Sequence, residues 1–234
     1  MTERARQPLL LVGAGGLARE TAQAVQAAGS HRLIGFTDDN PTRWGSVLDG
    51  VAVIGGTDVI TGMSDAAVVL CPGSGSVRAR LATRLAADGI GAERFATVVH
   101  PAVHVPPSCT VGHGSILLGG VVLTTSVTIG NHVAVMPNSV FTHDDVLDDF
   151  ATICASVSLA GGVRVGTGAY IGAGALVREN LSVGPWSTVG MGAVVLADVP
   201  GSEVWVGNPA RFLRGAGPVG VGTGPAITDS VNHR

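Results

Sequence analysis

A six-residue repeat constrains this chain more than any other feature. Reading every sixth position from Val99 gives Val99, Val105, Val111, Leu117, Leu123, Ile129, Val135, Phe141 and Leu147, then Ile153, Leu159, Val165, Ile171, Val177, Val183, Val189 and Val195. These are 17 consecutive large apolar residues, all aliphatic except Phe141. If about a third of positions are large and apolar, chance produces such a run with a probability on the order of 10⁻⁸. The period is too long for an ordinary helix or strand. Two residues before the apolar position the side chain is usually small or β-branched, as at Cys109, Ser115, Val121, Val127, Val133, Ser139, Ala151 and Val157. One residue after it glycine recurs, at 112, 130, 166, 172, 184 and 190, which reads as turns needing unusual backbone angles. The expectation is a solenoid whose sixth positions point inward.

The texture before residue 97 is different. Pro8 to Val12 is a short apolar run that ends in Gly13-Ala14-Gly15-Gly16, and LARETAQAVQAAG after it reads as a helix closed by Gly29. Leu33–Phe36, Val51–Ile54 and Ala66–Cys71 read as strands, Thr37 to Pro41 as a turn, and Val77 to Asp88 as a second helix. Strands alternating with helices imply a small parallel α/β domain over residues 1–96. Residues 97–214 hold the repeat and a C-terminal segment. The glycine-rich stretch 215–234 has no periodicity and reads as a disordered tail.

Composition removes several function classes. The formal net charge of -3 argues against a broadly basic nucleic-acid binder. All 14 basic residues are Arg, which excludes Schiff-base chemistry on Lys and a P-loop lysine. Cys71, Cys109 and Cys154 are too scattered for a disulfide framework or a Cys-based zinc site. No apolar run approaches the ~20 residues of a bilayer span, and no signal-peptide core precedes the glycine turn. The chain reads as soluble and cytoplasmic.

Three groups of residues can carry chemistry. Gly13, Gly15 and Gly16 sit between a strand and a helix start, where backbone N–H groups can face a phosphate. Asp38-Asp39 follows about 22 residues later, near the spacing at which Rossmann domains read a ribose. The full dinucleotide fingerprint is absent, and a tight turn that binds nothing is the plainer alternative. His143 lies two residues past Phe141, in the turn part of its hexad, and so projects outward beside Asp144. An adjacent carboxylate can fix an imidazole tautomer and raise its basicity, as a general base needs. The run Asp144, Asp145, Asp148, Asp149 reads equally as a charged edge, with Asp145 standing where other hexads carry a small residue. His100, His104, His113 and His132 occupy different phases of the hexad. They are expected to point in different directions, which argues against a three-His zinc site.

Together these features resemble one family. The hexads resemble the hexapeptide-repeat left-handed β-helix. The glycine-rich α/β domain, the Asp-Asp turn, the Phe-x-His-Asp turn and the terminal VWVGNPARFLR extend the resemblance to the PglD/NeuD-type bacterial sugar acetyltransferases, which include UDP-4-amino-sugar N-acetyltransferases. It covers roughly residues 8 to 214. It implies an α/β Rossmann-like N-terminal domain followed by an all-β left-handed parallel β-helix of five to six triangular coils.

The resemblance also implies an acetyltransferase moving the acetyl group of acetyl-CoA to an amino group of a nucleotide-linked amino sugar, with no metal. In that pattern His143 matches the general base, Asp144 its carboxylate partner, and Gly161 the residue whose N–H meets the thioester oxyanion. Gly15, Gly16, Leu17, Asp38, Asp39 and Gly73 match positions that contact the nucleotide sugar. Thr152, Ala173 and Met191 match positions that contact acetyl-CoA. Leu17 and Thr152 stand where members commonly have His, and Met136-Pro137 where an Asn-Thr pair is expected. A homotrimer with acetyl-CoA between adjacent β-helices is implied as well. The alternatives are a sugar O-acetyltransferase with the same base, and a nucleotide-sugar-binding scaffold whose β-helix only trimerises.

Overall fold

In the computed structural model, residues 6–217 are described. The expected tail from 215 onward falls outside the described residues from 218. The N-terminal unit is a five-stranded sheet. It comprises β1 (Pro8–Val12), β2 (Arg32–Thr37), β3 (Val47–Leu48), β4 (Val51–Gly55) and β5 (Ala67–Leu70), in the order β3-β4-β2-β1-β5. All pairs are parallel except β3 with β4. Helix α1 (Gly16–Ala28) buries Leu17, Ala18, Thr21, Ala22 and Val25, a stripe at three- and four-residue spacing. It ends where Gly29 takes the left-handed conformation and donates its N–H to the Val25 carbonyl. Helix α2 (Gly75–Ala87) follows β5.

The repeat forms a three-sided prism of two-residue strands. Thr128 pairs with Val146, Ala134 with Thr152 and Val140 with Ser158, so each coil takes 18 residues and each side one hexad. Two sides have five strands, and the third has eight because Val98–Val99 starts it one coil earlier and Glu203–Val206 and Arg211–Gly215 extend it at the other end. The inward column is dry: Ile153 is 0% exposed and Val165 1%. Val99, Val105 and Val111 pack against it half-buried, since no coil covers them from the N-terminal side.

The recurring glycines have a different cause from the one expected. None of Gly112, Gly130, Gly166, Gly172, Gly184 and Gly190 has a positive φ. A Cβ there would run into the next coil; at Gly130 it would lie 2.8 Å from the Asp149 nitrogen. Close stacking of coils excludes the side chain. The left-handed corners fall two residues later and are often non-glycine, as at His132, Asp144 and Phe150.

The two parts share a core. Val98, Ile116, Leu118 and Ala134 of the prism join the cluster built on α1 and on Leu9, Leu11 and Phe36. The joint also holds a buried cation. Arg78, 0% exposed, donates to the carbonyls of Pro72, Gly73, His132, Phe150 and Ala151 and to Thr152 Oγ1, at 2.8–3.1 Å. Burial pushes its pKa down to about 10, so it stays charged at neutral pH.

Candidate active site

At the carboxyl ends of β1, β2 and β5 lies a cleft of about 480 Å³ lined by Gly13, Gly15, Gly16, Leu17, Asp38 and Gly73, among others. The strand order reverses beside β1, the place where open α/β sheets take ligands. The α1 N-terminus opens into it. An added Cβ at Gly15, Gly16 or Gly73 would meet nothing within 4 Å, so a ligand can approach the backbone there. Asp38 shapes the rim: its carboxylate accepts from Ala14 N–H at 3.0 Å and Asn40 N–H at 2.9 Å. Arg43, anchored by its bond to the Ala14 carbonyl, supplies a cation beside these glycines. Cys71 also lines the cleft, but burial pushes its thiol up to about 12, which makes it no nucleophile.

Asp39 departs from expectation. It does not line the cleft with Asp38. Its carboxylate accepts from Thr57 N–H and Oγ1 and pairs with Arg84 at 2.9 Å. Burial works against its charge, yet these partners prevail and hold its carboxyl below the usual value. β2 ends at Thr37 and the chain bends at Asp39, so the two side chains leave the turn in different directions and only Asp38 reaches the cleft.

His143 and Asp144 occupy a prism corner, both exposed. Asp144 takes the left-handed conformation (φ 65°), which an Asp tolerates better than most residues. The His143 Nδ1 lies 2.8 Å from its Oδ2. A carboxylate only accepts, so Nδ1 carries the hydrogen and neutral imidazole keeps its lone pair on Nε2. In the next coil Gly161 sits beneath the ring, where a Cβ would collide with Cε1 and Nε2. The Gly162 N–H donates to the His143 carbonyl at 2.8 Å, tying the two turns together. Among the described residues the Gly161 N–H has no hydrogen-bond partner.

The three residues assigned to the cofactor separate. Ala173 and Met191, 18 positions apart, share one corner, with Ala173 half-buried and Met191 78% exposed. Thr152 does not join them. It is 1% exposed, accepts from Arg78 and donates its hydroxyl hydrogen to the Gly73 carbonyl, closed inside the joint. The histidines also correct the reading of phases. His113 and His132 converge, their ring centroids 5.3 Å apart, within a cluster that includes Phe95 and Phe150. Among the described residues no group of His, Cys, Asp and Glu is placed to hold a metal ion.

Comparison with known proteins supplies the family. Residues 8–85 match the family model described as the PglD N-terminal domain. The acetyltransferase domain of PglB from Neisseria gonorrhoeae, solved in complex with acetyl coenzyme A, is 31% identical, with a TM-score of 0.82 over 89% of this chain and 100% of that one. The chain belongs to the PglD-type hexapeptide-repeat sugar N-acetyltransferases. PerB from Caulobacter crescentus, solved with CoA and GDP-perosamine, is 26% identical at a TM-score of 0.81, over 88% of this chain and 97% of that one. The prism of this PglD-type chain is thus a left-handed β-helix. Among curated proteins, the mitochondrial serine acetyltransferase 3 of Arabidopsis thaliana is 30% identical over 123 residues, or 53% of this chain. The chain spans 28% of that relative's length and 40% of a rice probable serine acetyltransferase 1. No described helix of the PglD-type chain is long and apolar enough to cross a membrane.

Sequence reasoning missed Asn40, Arg43 and Pro72 as cleft residues, and Arg78 altogether. Met136, noted only as an unusual residue before the His143 turn, lines the cleft from the β-helix side.

Proposed function

We propose that the chain transfers the acetyl group of acetyl-CoA to an amino group of a nucleotide-linked amino sugar. The observation that carries this reading is the His143 imidazole, oriented by Asp144 and seated over Gly161. Nε2 takes a proton from the sugar amine as its nitrogen adds to the thioester carbonyl. The Gly161 N–H meets the oxyanion that forms, and Asp144 stabilises the imidazolium. Collapse breaks the C–S bond, and the CoA sulfur recovers the proton from His143. The products are the acetamido sugar and free CoA thiol. Much of the acceleration comes from alignment of amine and thioester.

The cleft at Gly15, Gly16, Asp38, Arg43 and Gly73 takes the nucleotide, with open backbone N–H groups and an arginine suited to a diphosphate. Ala173 and Met191 contact acetyl-CoA. Met136, Ala173 and Met191 lie on one corner of the β-helix, whereas His143 and Gly161 lie on another. A site combining them therefore draws on two copies. The outer side between those corners carries Val122, Val140, Leu176 and Val194, with Leu176 47% and Val122 46% exposed. Apolar residues facing out on one side of a three-sided prism support closure into a homotrimer. The junction of the two domains falls near residue 97: Ala96 N–H still bonds Val68 in the sheet, while Val98 N–H bonds Ser115 in the β-helix. Both cosubstrates carry phosphate and do not cross membranes unaided, which supports a cytoplasmic setting.

The test is acetyl transfer from acetyl-CoA to UDP-, GDP- and dTDP-linked amino sugars by the wild type and His143→Ala. Folding is checked by thermal melting and assembly by light scattering. His143→Ala should lose about 10² to 10⁴ in kcat, with a smaller change in acetyl-CoA affinity. A folded variant with wild-type turnover removes His143 from the mechanism. Product cleaved by hydroxylamine would identify an ester and move the assignment to O-acetylation.

A further inference from the structure

From Cys109 to Ala193, the corner column that includes position 145 holds Cys, Ser, Val, Ala or Leu everywhere except at Asp145. That aspartate is 0% exposed. Its Oδ2 accepts the Thr142 N–H at 2.9 Å and its Oδ1 the Val163 N–H at 2.8 Å. Thr142 immediately precedes His143. Val163 lies in the next coil, two residues after Gly161. At the same column position Ser115 reaches one N–H, that of Val133 in the next coil. Asp145 does this and also reaches back into its own turn.

We propose that Asp145 is a positioning residue for acetyl transfer, its buried carboxylate clamping the turn that carries His143 to the turn that carries Gly161. The inference rests on the proposed acetyltransferase reading. A carboxylate is a costly choice for this corner, because its only partners are two backbone N–H groups and no cation faces it from within the prism. Burial pushes its carboxyl up to about 6; the neighbouring ionisable groups are His143, which favours the charge, and Asp144, which opposes it. Valine fills the equivalent hexad position at 121, 127, 133, 157 and 163 without that penalty. What the carboxylate adds is a second hydrogen bond holding the base in register with the oxyanion donor. An error of about 1 Å in such register costs on the order of 10² in rate.

The experiment measures kcat, both KM values and melting temperature for the wild type, Asp145→Val, Asp145→Ser and His143→Ala. It uses acetyl-CoA and whichever nucleotide-linked amino sugar the wild type acetylates. Asp145→Val should melt at or above the wild-type temperature yet lose about 10- to 100-fold in kcat. Both its KM values should stay within about twofold. Asp145→Ser, which keeps one acceptor, should fall between the two. A purely structural role predicts the opposite pattern, a lowered melting temperature with unchanged kcat in the folded fraction. Folded Asp145→Val with wild-type kcat overturns the clamp. Should that variant fail to fold, Asp145→Ser, which repeats the residue at 115, 139 and 187, carries the same comparison. Wild-type turnover by His143→Ala overturns the underlying mechanism instead, so the two failures are distinguishable.

Discussion

The imidazole of His143 lies directly over Gly161, one coil further along the β-helix, with its Cε1 and Nε2 where a Cβ of residue 161 would stand. Gly161 does not adopt a positive φ, so alanine suits its backbone but not its surroundings. Gly161→Ala should fold normally and push the ring aside. The expected loss is about 10²-fold in kcat, with the acceptor KM little changed. Full turnover in a variant of unchanged melting temperature would show that the ring's seat on Gly161 is immaterial to the reaction.

Asp38 and Asp39 should behave differently despite being neighbours. Asp38 shapes the cleft rim through Ala14 and Asn40, whereas Asp39 holds Thr57 and Arg84 outside it. Asp38→Ala is expected to raise the acceptor KM roughly tenfold or more while leaving the acetyl-CoA KM nearly intact. Asp39→Ala should lower the melting temperature and leave the acceptor KM close to wild type. A larger KM effect from Asp39 than from Asp38 would place the acceptor elsewhere.

Arg78 should dominate the stability of the joint. Methionine in its place removes the arginine donor from five buried or part-buried carbonyls, which should cost about 3–5 kcal/mol. Lysine keeps a charge but offers only three donors, so Arg78→Lys should lose less than Arg78→Met. Denaturant midpoints of the two variants check the ranking. Equal stability of Met and wild type would mean that the carbonyls find other partners.

The repeat was legible because every hexad re-uses one inward position, and a slip of one residue would have exposed the whole column. The corner proposed for catalysis stands out for a related reason: a His-Asp turn contrasts with the small and aliphatic residues around it. Arg78 had a quieter signal. Arg78, Leu81, Ala82 and Leu85 follow the i, i+3, i+4, i+7 spacing of the buried helix face, and an arginine within that stripe must find buried acceptors. Its acceptors are mainly main-chain carbonyls, those of Pro72 and Gly73 nearby and of His132, Phe150 and Ala151 across the joint, which no side-chain pattern reveals. The convergence of His113 with His132 was hidden too. Phase within the hexad predicts a direction only for strand residues, and His132 sits at a left-handed corner (φ 53°) that turns its ring back over the preceding coil.

His132 and Asp145 should give the stability curve two opposing slopes between about pH 4 and 6.5. Burial, then the proximity of His113 and Arg78, pushes the His132 pKa down to about 4, against about 6.5 for an unfolded imidazole. The unfolded chain therefore binds more protons in that window. The stability tied to neutral His132 is whole above pH 6.5 and is lost as pH falls toward 4. Asp145 acts with the other sign. Its carboxyl lies at about 6 when folded and near 3.9 when unfolded, so its destabilising burial is fully felt above pH 6 and fades below it. In the wild type the two trends offset each other. His132→Phe removes the first while keeping a ring beside Phe95 and Phe150, and Phe150 itself shows that the column accepts Phe at a left-handed corner. The melting temperature of His132→Phe relative to wild type should therefore climb as pH falls from 6.5 to 4. That of Asp145→Val should start at or above wild type at pH 7 and decline over the same range. Melting curves at half-unit pH intervals decide the matter, and two variants that run parallel to the wild type would show that neither side chain changes its proton affinity on folding.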